Sequence, residues 1–184
     1  MLKKIAIGVG VVIVLLVVVV ATRPSEFRIE RSKSIDAPPE VVFLFVNDFH
    51  DWPAWSPWEK LDPGMQRSHS GAPEGKGAMY AWSGNDQVGK GKMTIVESRP
   101  NERVGIELEF QEPWTATNQT TFAFGRAGDG TKLTWAMEGK NGFVAKAFSM
   151  FMDMDAMVGK DFEKGLDALS LVAAAEAKKR EAAH

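Results

Sequence analysis

Three histidines and no cysteine limit the chemistry open to this chain of 184 residues. Without thiols there are no disulfides, thiolate nucleophiles or Cys-based zinc and iron–sulfur sites. His50 stands between Asp48 and Asp51, but the three crowd one short loop, without the i, i+4 spacing by which a helix converges ligands on a metal. His69 lies in a polar stretch between Ser68 and Ser70, and His184 ends the chain. Neither HExxH nor GxSxG occurs. Gly75-Lys-Gly77 and Gly89-Lys-Gly91 lack the third glycine of a phosphate loop and read as bends or bulges in strands. Glu107, Glu109 and Glu138 alternate against apolar neighbours and so face water. Asp153 and Asp155 flank Met154 on a solvated helix face. No metal or other cofactor is expected.

The apolar residues carry more information. Alternation places Trp82, Met93, Phe110, Phe122, Trp135 and Met137 on inward faces of strands, with Tyr80 among them. Asn118 shares its face with Phe122 and Phe124, and an inward amide needs a partner. Met150, Met152, Met154 and Met157 cluster ahead of a helix, and methionine suits surfaces that adapt to varied apolar shapes. Tyr80, Trp82, Met93, Phe110, Asn118, Phe122, Trp135, Met137 and Met154 are therefore the expected ligand-binding set. A few polar groups in an apolar lining is the composition of small-molecule pockets.

These positions need a scaffold. Phe27 to Ile35 alternates as a half-buried strand. Asp36-Ala-Pro38-Pro39 then opens a helix with the stripe Val41, Val42, Phe45, Val46. A Trp/Pro-rich stretch up to Leu61 predicts short helical turns in which Trp52, Trp55 and Trp58 pack. Strands follow through Ala78–Trp82, Met93–Ile95, Val104–Phe110, Asn118–Phe124 and Leu133–Met137, with turns at Ser83–Asp86, Pro100-Asn101 and Gly128–Gly130. From Gly142 the period becomes helical, and Phe151, Val158, Phe162, Leu169 and Val172 form one apolar face. Residues 173–184, rich in alanine and lysine, are expected to fray as an exposed tail.

At the other end, Ile5 to Thr22 contains no charge. As a helix it spans about 27 Å, close to the hydrocarbon thickness of a bilayer. Lys3 and Lys4 precede it and Arg23-Pro24 closes it. The run exceeds the h-region of a cleaved signal peptide, so residues 1–24 are expected to form a single-pass transmembrane anchor, with the soluble domain on the extracytoplasmic side. The whole chain is 45% hydrophobic and 25% charged, with a net charge of -2. That balance excludes disorder and gives no nucleic-acid footprint.

The stretch RSKSIDAPPEVVFLFVNDFHDWPAWSPWEK (31–60), with GKGAMYAWSG (75–84), LTWAMEG (133–139) and DFEKGLDALS (161–170), resembles the SRPBCC superfamily. This is the START-like helix-grip group that includes polyketide cyclase/dehydrase-type proteins. The resemblance covers residues 27–172, within an expected domain 25–172. It implies an α+β fold in which an antiparallel seven-stranded curved sheet grips a long C-terminal helix round a hydrophobic cavity. The expected partner is a hydrophobic small molecule or lipid, held near the membrane. The alternatives are a cyclase-like enzyme, which needs a titratable group in the cavity, and a protein-partner domain, which needs an exposed tryptophan patch.

Overall fold

The cleanest alternation in the sequence, Val104 to Phe110, becomes the middle strand of a seven-stranded sheet. The computed structural model describes residues 2–183, less the side chains of Leu2, Lys3, Ile5 and Ala6; His184 lies outside the described residues. In chain order it contains α1 (Leu2–Thr22), β1 (Glu26–Ile35), α2 (Pro39–Asn47), 3-10 turns at Phe49–Ala54 and Pro57–Lys60, then β2 (Gln66–Gly71) and β3 (Ala78–Ser83). There follow β4 (Lys90–Arg99), β5 (Arg103–Glu112), β6 (Ala116–Ala127), β7 (Gly130–Lys140), α3 (Phe143–Phe148) and α4 (Met154–Glu181). All pairings are antiparallel, in the order β1-β7-β6-β5-β4-β3-β2. The helical segment after β1 thus carries the chain from one edge of the sheet to the other. Register shifts between β4 and β5 leave Gln111 of β5 and Val96 of β4 without a partner, and bulges of this kind bend a sheet.

One face of this sheet is apolar and α4 covers it. Phe162, Leu166 and Leu169 of α4 are buried in one core with Val104, Ile106, Phe122, Leu133 and Trp135 of the strands and Val41, Val42 and Val46 of α2. Gly165 makes the approach close: a Cβ there would stand 2.8 Å from Cζ3 of Trp135. At the outer edge Arg31 of β1 reaches over α4 to Asp155 (3.0 Å) and Glu163 (2.9 Å). Gly159 leaves the space its guanidinium occupies. Hydrogen bonding to Arg31 holds the Asp155 carboxyl below the usual range.

Several expectations need correction. The helical period after Gly142 is two helices, because Ser149 to Asp153 interrupts it and Asp153 caps α4 by accepting from the Ala156 N–H (2.9 Å). Phe151 falls in that interruption and is 82% exposed, so it belongs to no buried stripe. The C-terminal tail does not fray at 173; α4 runs to Glu181 with Ala173 and Ala177 buried. The helix that Asp36-Ala-Pro38-Pro39 opens begins at Pro39, without a side-chain cap. Pro38 is the N-cap of α2, and Pro39 supplies the preset φ of its first turn.

α1 leaves the domain as a helix of 21 residues. Among the described residues no helix is long and apolar enough to cross a membrane; the run expected to cross begins with Ile5 and Ala6, whose side chains lie outside them. Its large apolar side chains at Ile7, Val9 and Val11 to Val19 are exposed, whereas Val20 is buried and α1 meets α3.

Candidate functional site

Between the sheet and α4 the side chains do not fill the space. A cavity of about 220 Å³ remains, walled by Tyr80 and Trp82 of β3, Met93 of β4, Leu108 and Phe110 of β5, Thr120 of β6, and Trp135 and Met137 of β7. Val158 and Phe162 of α4 close it from above, and Trp52, Trp58 and Glu59 of the 3-10 turns, with Ser56 between them, close it from the side. Met65, Gln87 and Val88 complete one end.

Aromatic rings make most of this wall rigid. Trp135 stacks on Phe162 with centroids 4.2 Å apart and planes within 6°, and Trp58 meets both edge-on at 5.7 and 6.2 Å. Trp82 lies over Gly91, where any Cβ would collide with its ring, and Trp82 donates through its indole N–H to the Val88 carbonyl (2.9 Å). The indole N–H of Trp135 is buried and has no acceptor among the described residues.

Six of the nine residues expected from the sequence converge on the cavity: Tyr80, Trp82, Met93, Phe110, Trp135 and Met137. Three do not. Phe122 is fully buried behind the wall, against Trp135 and Trp55. Asn118 faces inward but fills a recess over Gly139, its amide 3.9 Å from the Met137 sulfur, so it is not a polar contact in the lining. Met154 is exposed at the start of α4.

The polar group that alternation missed is Glu59. It sits in the second 3-10 turn with a side chain only 6% exposed. Its Oε1 accepts from the Tyr80 hydroxyl at 2.5 Å and its Oε2 from Arg67 Nε at 2.6 Å. A second Arg67 nitrogen donates to the Glu59 carbonyl (3.1 Å). An inward carboxylate is tolerable here because both oxygens are paired with donors. The only sequence signal is a charge placed directly after the tryptophan-rich stretch Trp52 to Trp58.

Burial, and next the hydrogen bond to Glu59, push the Tyr80 phenol well above its ordinary value. The folded chain therefore holds a proton that the unfolded chain releases above about pH 10. Stability conferred this way is intact below that pH and declines as pH rises further. Tyr80 is the sole tyrosine, so tyrosinate absorbance reads it alone. The expected titration midpoint lies above 10 and coincides with loss of structure, and Glu59→Gln lowers it. A midpoint near 10 with the fold intact would contradict the buried pairing.

His50 and His69 lie on the outer side of Tyr80, the His69 ring 5.2 Å from the tyrosine ring. His50 and His69 stack with centroids 4.1 Å apart, and His50 Nδ1 is 2.7 Å from Asp48. Burial, then the neighbouring Asp48, raises the Asp51 carboxyl above its usual range. Among the described residues no three histidine, aspartate or glutamate side chains are placed to hold a metal ion.

Known structures share this architecture. A protein from Chromobacterium violaceum superimposes with a TM-score of 0.58 at 16% identity, over 80% of this chain and 96% of its own. A Staphylococcus aureus protein of unknown function gives 0.60 at 13% identity, over 85% and 98%. Ara h 8.0201 gives 0.53 at 11%, over 84% and 99%. At such identities the likeness is one of fold. No curated protein matches the chain in sequence. Residues 26–174, from β1 into the last turns of α4, match a single family throughout, and the chain belongs to it: polyketide cyclase / dehydrase and lipid transport.

Proposed function

We propose that the protein binds a compact hydrophobic molecule in the cavity under α4, on a domain that α1 ties to a membrane. The cavity carries this reading: a partly open apolar space with aromatic walls and few polar groups, in a family described by cyclases and lipid transport. Burying a ligand's apolar surface there contributes roughly 25 cal/mol per Å². At about 220 Å³ the space is below the roughly 300–1,000 Å³ of drug-sized pockets. The ligand is thus a small ring system or a segment of acyl chain rather than a whole phospholipid.

The membrane half rests on α1. A row of exposed valines, leucines and isoleucines is costly in water and favourable in hydrocarbon, and a continuous helix satisfies its own backbone there. Lys3 and Lys4 favour a cytoplasmic N-terminus, which puts the domain on the other side.

Native mass spectrometry of the full chain ejected from detergent micelles, with solvent extraction of the same sample, tests the binding. One small apolar molecule per chain is the expected result. A chain that emerges empty, and takes up no hydrophobic fluorophore into energy-transfer range of its tryptophans, would end the proposal.

A cyclase-like enzyme is the second reading, and the buried Glu59–Tyr80 pair is what favours it. Both carboxylate oxygens are already engaged and the phenol is held protonated, so the pair orients a polar group more readily than it moves a proton. Conversion of the extracted ligand by the native chain, lost in both Glu59→Gln and Tyr80→Phe while binding persists, would reverse that ranking.

A further inference from the structure

Outside α1, large exposed apolar side chains fall into two patterns. Leu44, Leu61, Val96 and Leu171 are separate from one another in the sequence, which is normal for a protein surface. The others, Trp114 apart, concentrate in one segment: Phe143, Val144 and Phe148 of α3, Phe151 and Met152 in the interruption, and Met154 and Met157 in the first turn of α4. Trp114, 70% exposed in the turn between β5 and β6, leans on Phe148 with ring centroids 6.4 Å apart. Continuous in sequence from Phe143 to Met157 and joined by Trp114, this is an apolar lip rich in phenylalanine and methionine.

Strand register fixes where the lip lies. Glu26 pairs with Lys140, Phe110 with Ala116, Lys90 with Glu112, and Gln66 with Ser83. The start of β1, the end of β7, the Trp114 turn, the Val88 turn and the start of β2 therefore share one end of the sheet. Met65, Gln87 and Val88 of the cavity wall come from that same end. α1 enters there too: the Asn141 N–H donates to the Ser25 carbonyl (2.7 Å), and α1 meets α3. The opposite end carries the Gly128-Asp129 and Asn101 turns.

We infer that this lip lies on the surface of a lipid bilayer beside α1, so that the end of the cavity formed by Met65, Gln87 and Val88 faces the membrane. Phenylalanine and tryptophan at headgroup depth and adaptable methionines are the composition of an interfacial contact. Continuity with the exposed apolar surface of α1 selects a bilayer over a protein partner. The geometry also gives a hydrophobic ligand a path that avoids water. The inference rests on the membrane reading of α1, and its test separates the two.

Because the chain lacks cysteine, one polarity-sensitive nitrobenzoxadiazole label can be placed at F151C, with D129C at the opposite end as reference and M157C as a second lip position. All three native side chains are exposed, so the fold tolerates the change. The labelled full chain is reconstituted into phosphatidylcholine/phosphatidylglycerol vesicles with and without doxyl-labelled acyl chains. The expected result is a blue-shifted label, quenched by the doxyl lipids, at 151 and 157 and neither effect at 129. A vesicle-bound chain whose lip labels behave like the one at 129 overturns the lip and leaves the anchor standing. A chain that does not associate with vesicles overturns both. Shielding at 151 that appears without lipid and grows with protein concentration assigns the lip to a second copy of the chain, and overturns the inference.

Discussion

Trp135→Ala is expected to destabilise the domain by about 3–5 kcal/mol, the range for removing a large buried aromatic. Trp135 is 2% exposed and lies where three parts of the fold meet. It stacks on Phe162 of α4, meets Trp55 (between the 3-10 turns) and Trp58 (in the second) edge-on with ring centroids 5.7 Å apart, and packs against Phe122 of β6 at 4.8 Å. Its six-membered ring fills the space left by Gly165. Alanine would open a void joined to the existing cavity, and rigid rings on every side cannot collapse into it. The indole N–H has no acceptor among the described residues, so truncation orphans no partner and the cost is one of packing. Trp135→Phe should accordingly retain most of the stability. Urea unfolding of the full chain in mild detergent, followed by circular dichroism, measures both. A loss below about 0.5 kcal/mol, the size of an ordinary surface change, would mean that α4 is held to the sheet elsewhere.

Trp135 also illustrates what the sequence made legible. Period-2 alternation identified the buried face of β3 to β7 because one side of each strand meets the core and the other meets water. It could not find β2. Gln66 to Gly71 is an edge strand whose residues are all exposed, so its side chains carry no imprint of the sheet. Its strand character comes from the backbone ladder to β3. The alanine-rich end of α4 was ambiguous for a related reason. Ala173 and Ala177 are buried because their small side chains let the helix lie close, and nothing in an alanine's hydrophobicity distinguishes that from an exposed fraying turn.

Within the site, alternation names a face but not a depth along the strand. Val104 and Ile106 point the same way as Leu108 and Phe110, yet the first pair is sealed in the core and the second lines the cavity. The transition comes where α4 and the 3-10 turns part from the sheet, which is a tertiary distance. Phe122 fell on the wrong side of it. Glu59 was illegible by period altogether, since it occupies a four-residue 3-10 turn. Its role follows from Arg67 and Tyr80 arriving from β2 and β3. The resemblance to the helix-grip group supplied what periodicity lacked, namely that the sheet closes on the last helix.

That depth boundary gives the sharpest test of the cavity. Met93 and Leu108 are register partners on β4 and β5, both half-buried and both in the wall. Met93→Trp combined with Leu108→Trp is expected to lower affinity for the extracted ligand or a hydrophobic fluorophore at least about tenfold, a loss of roughly 1.4 kcal/mol or more. Added volume in a filled core costs about 1–3 kcal/mol, but here the new rings enter about 220 Å³ of empty space. The pair should therefore fold with an unfolding midpoint close to that of the native chain. Ile106→Trp, one step along the same face of β5 and fully buried, has no such space. It should lose stability, and the contrast between the two locates the end of the cavity. The double variant also separates ligand held in the protein from ligand dissolved in the surrounding detergent or bilayer, because only the former depends on Met93 and Leu108. A folded double variant that binds as tightly as the native chain would place the ligand outside this cavity, and the Trp82–Trp135 wall would then be core packing alone.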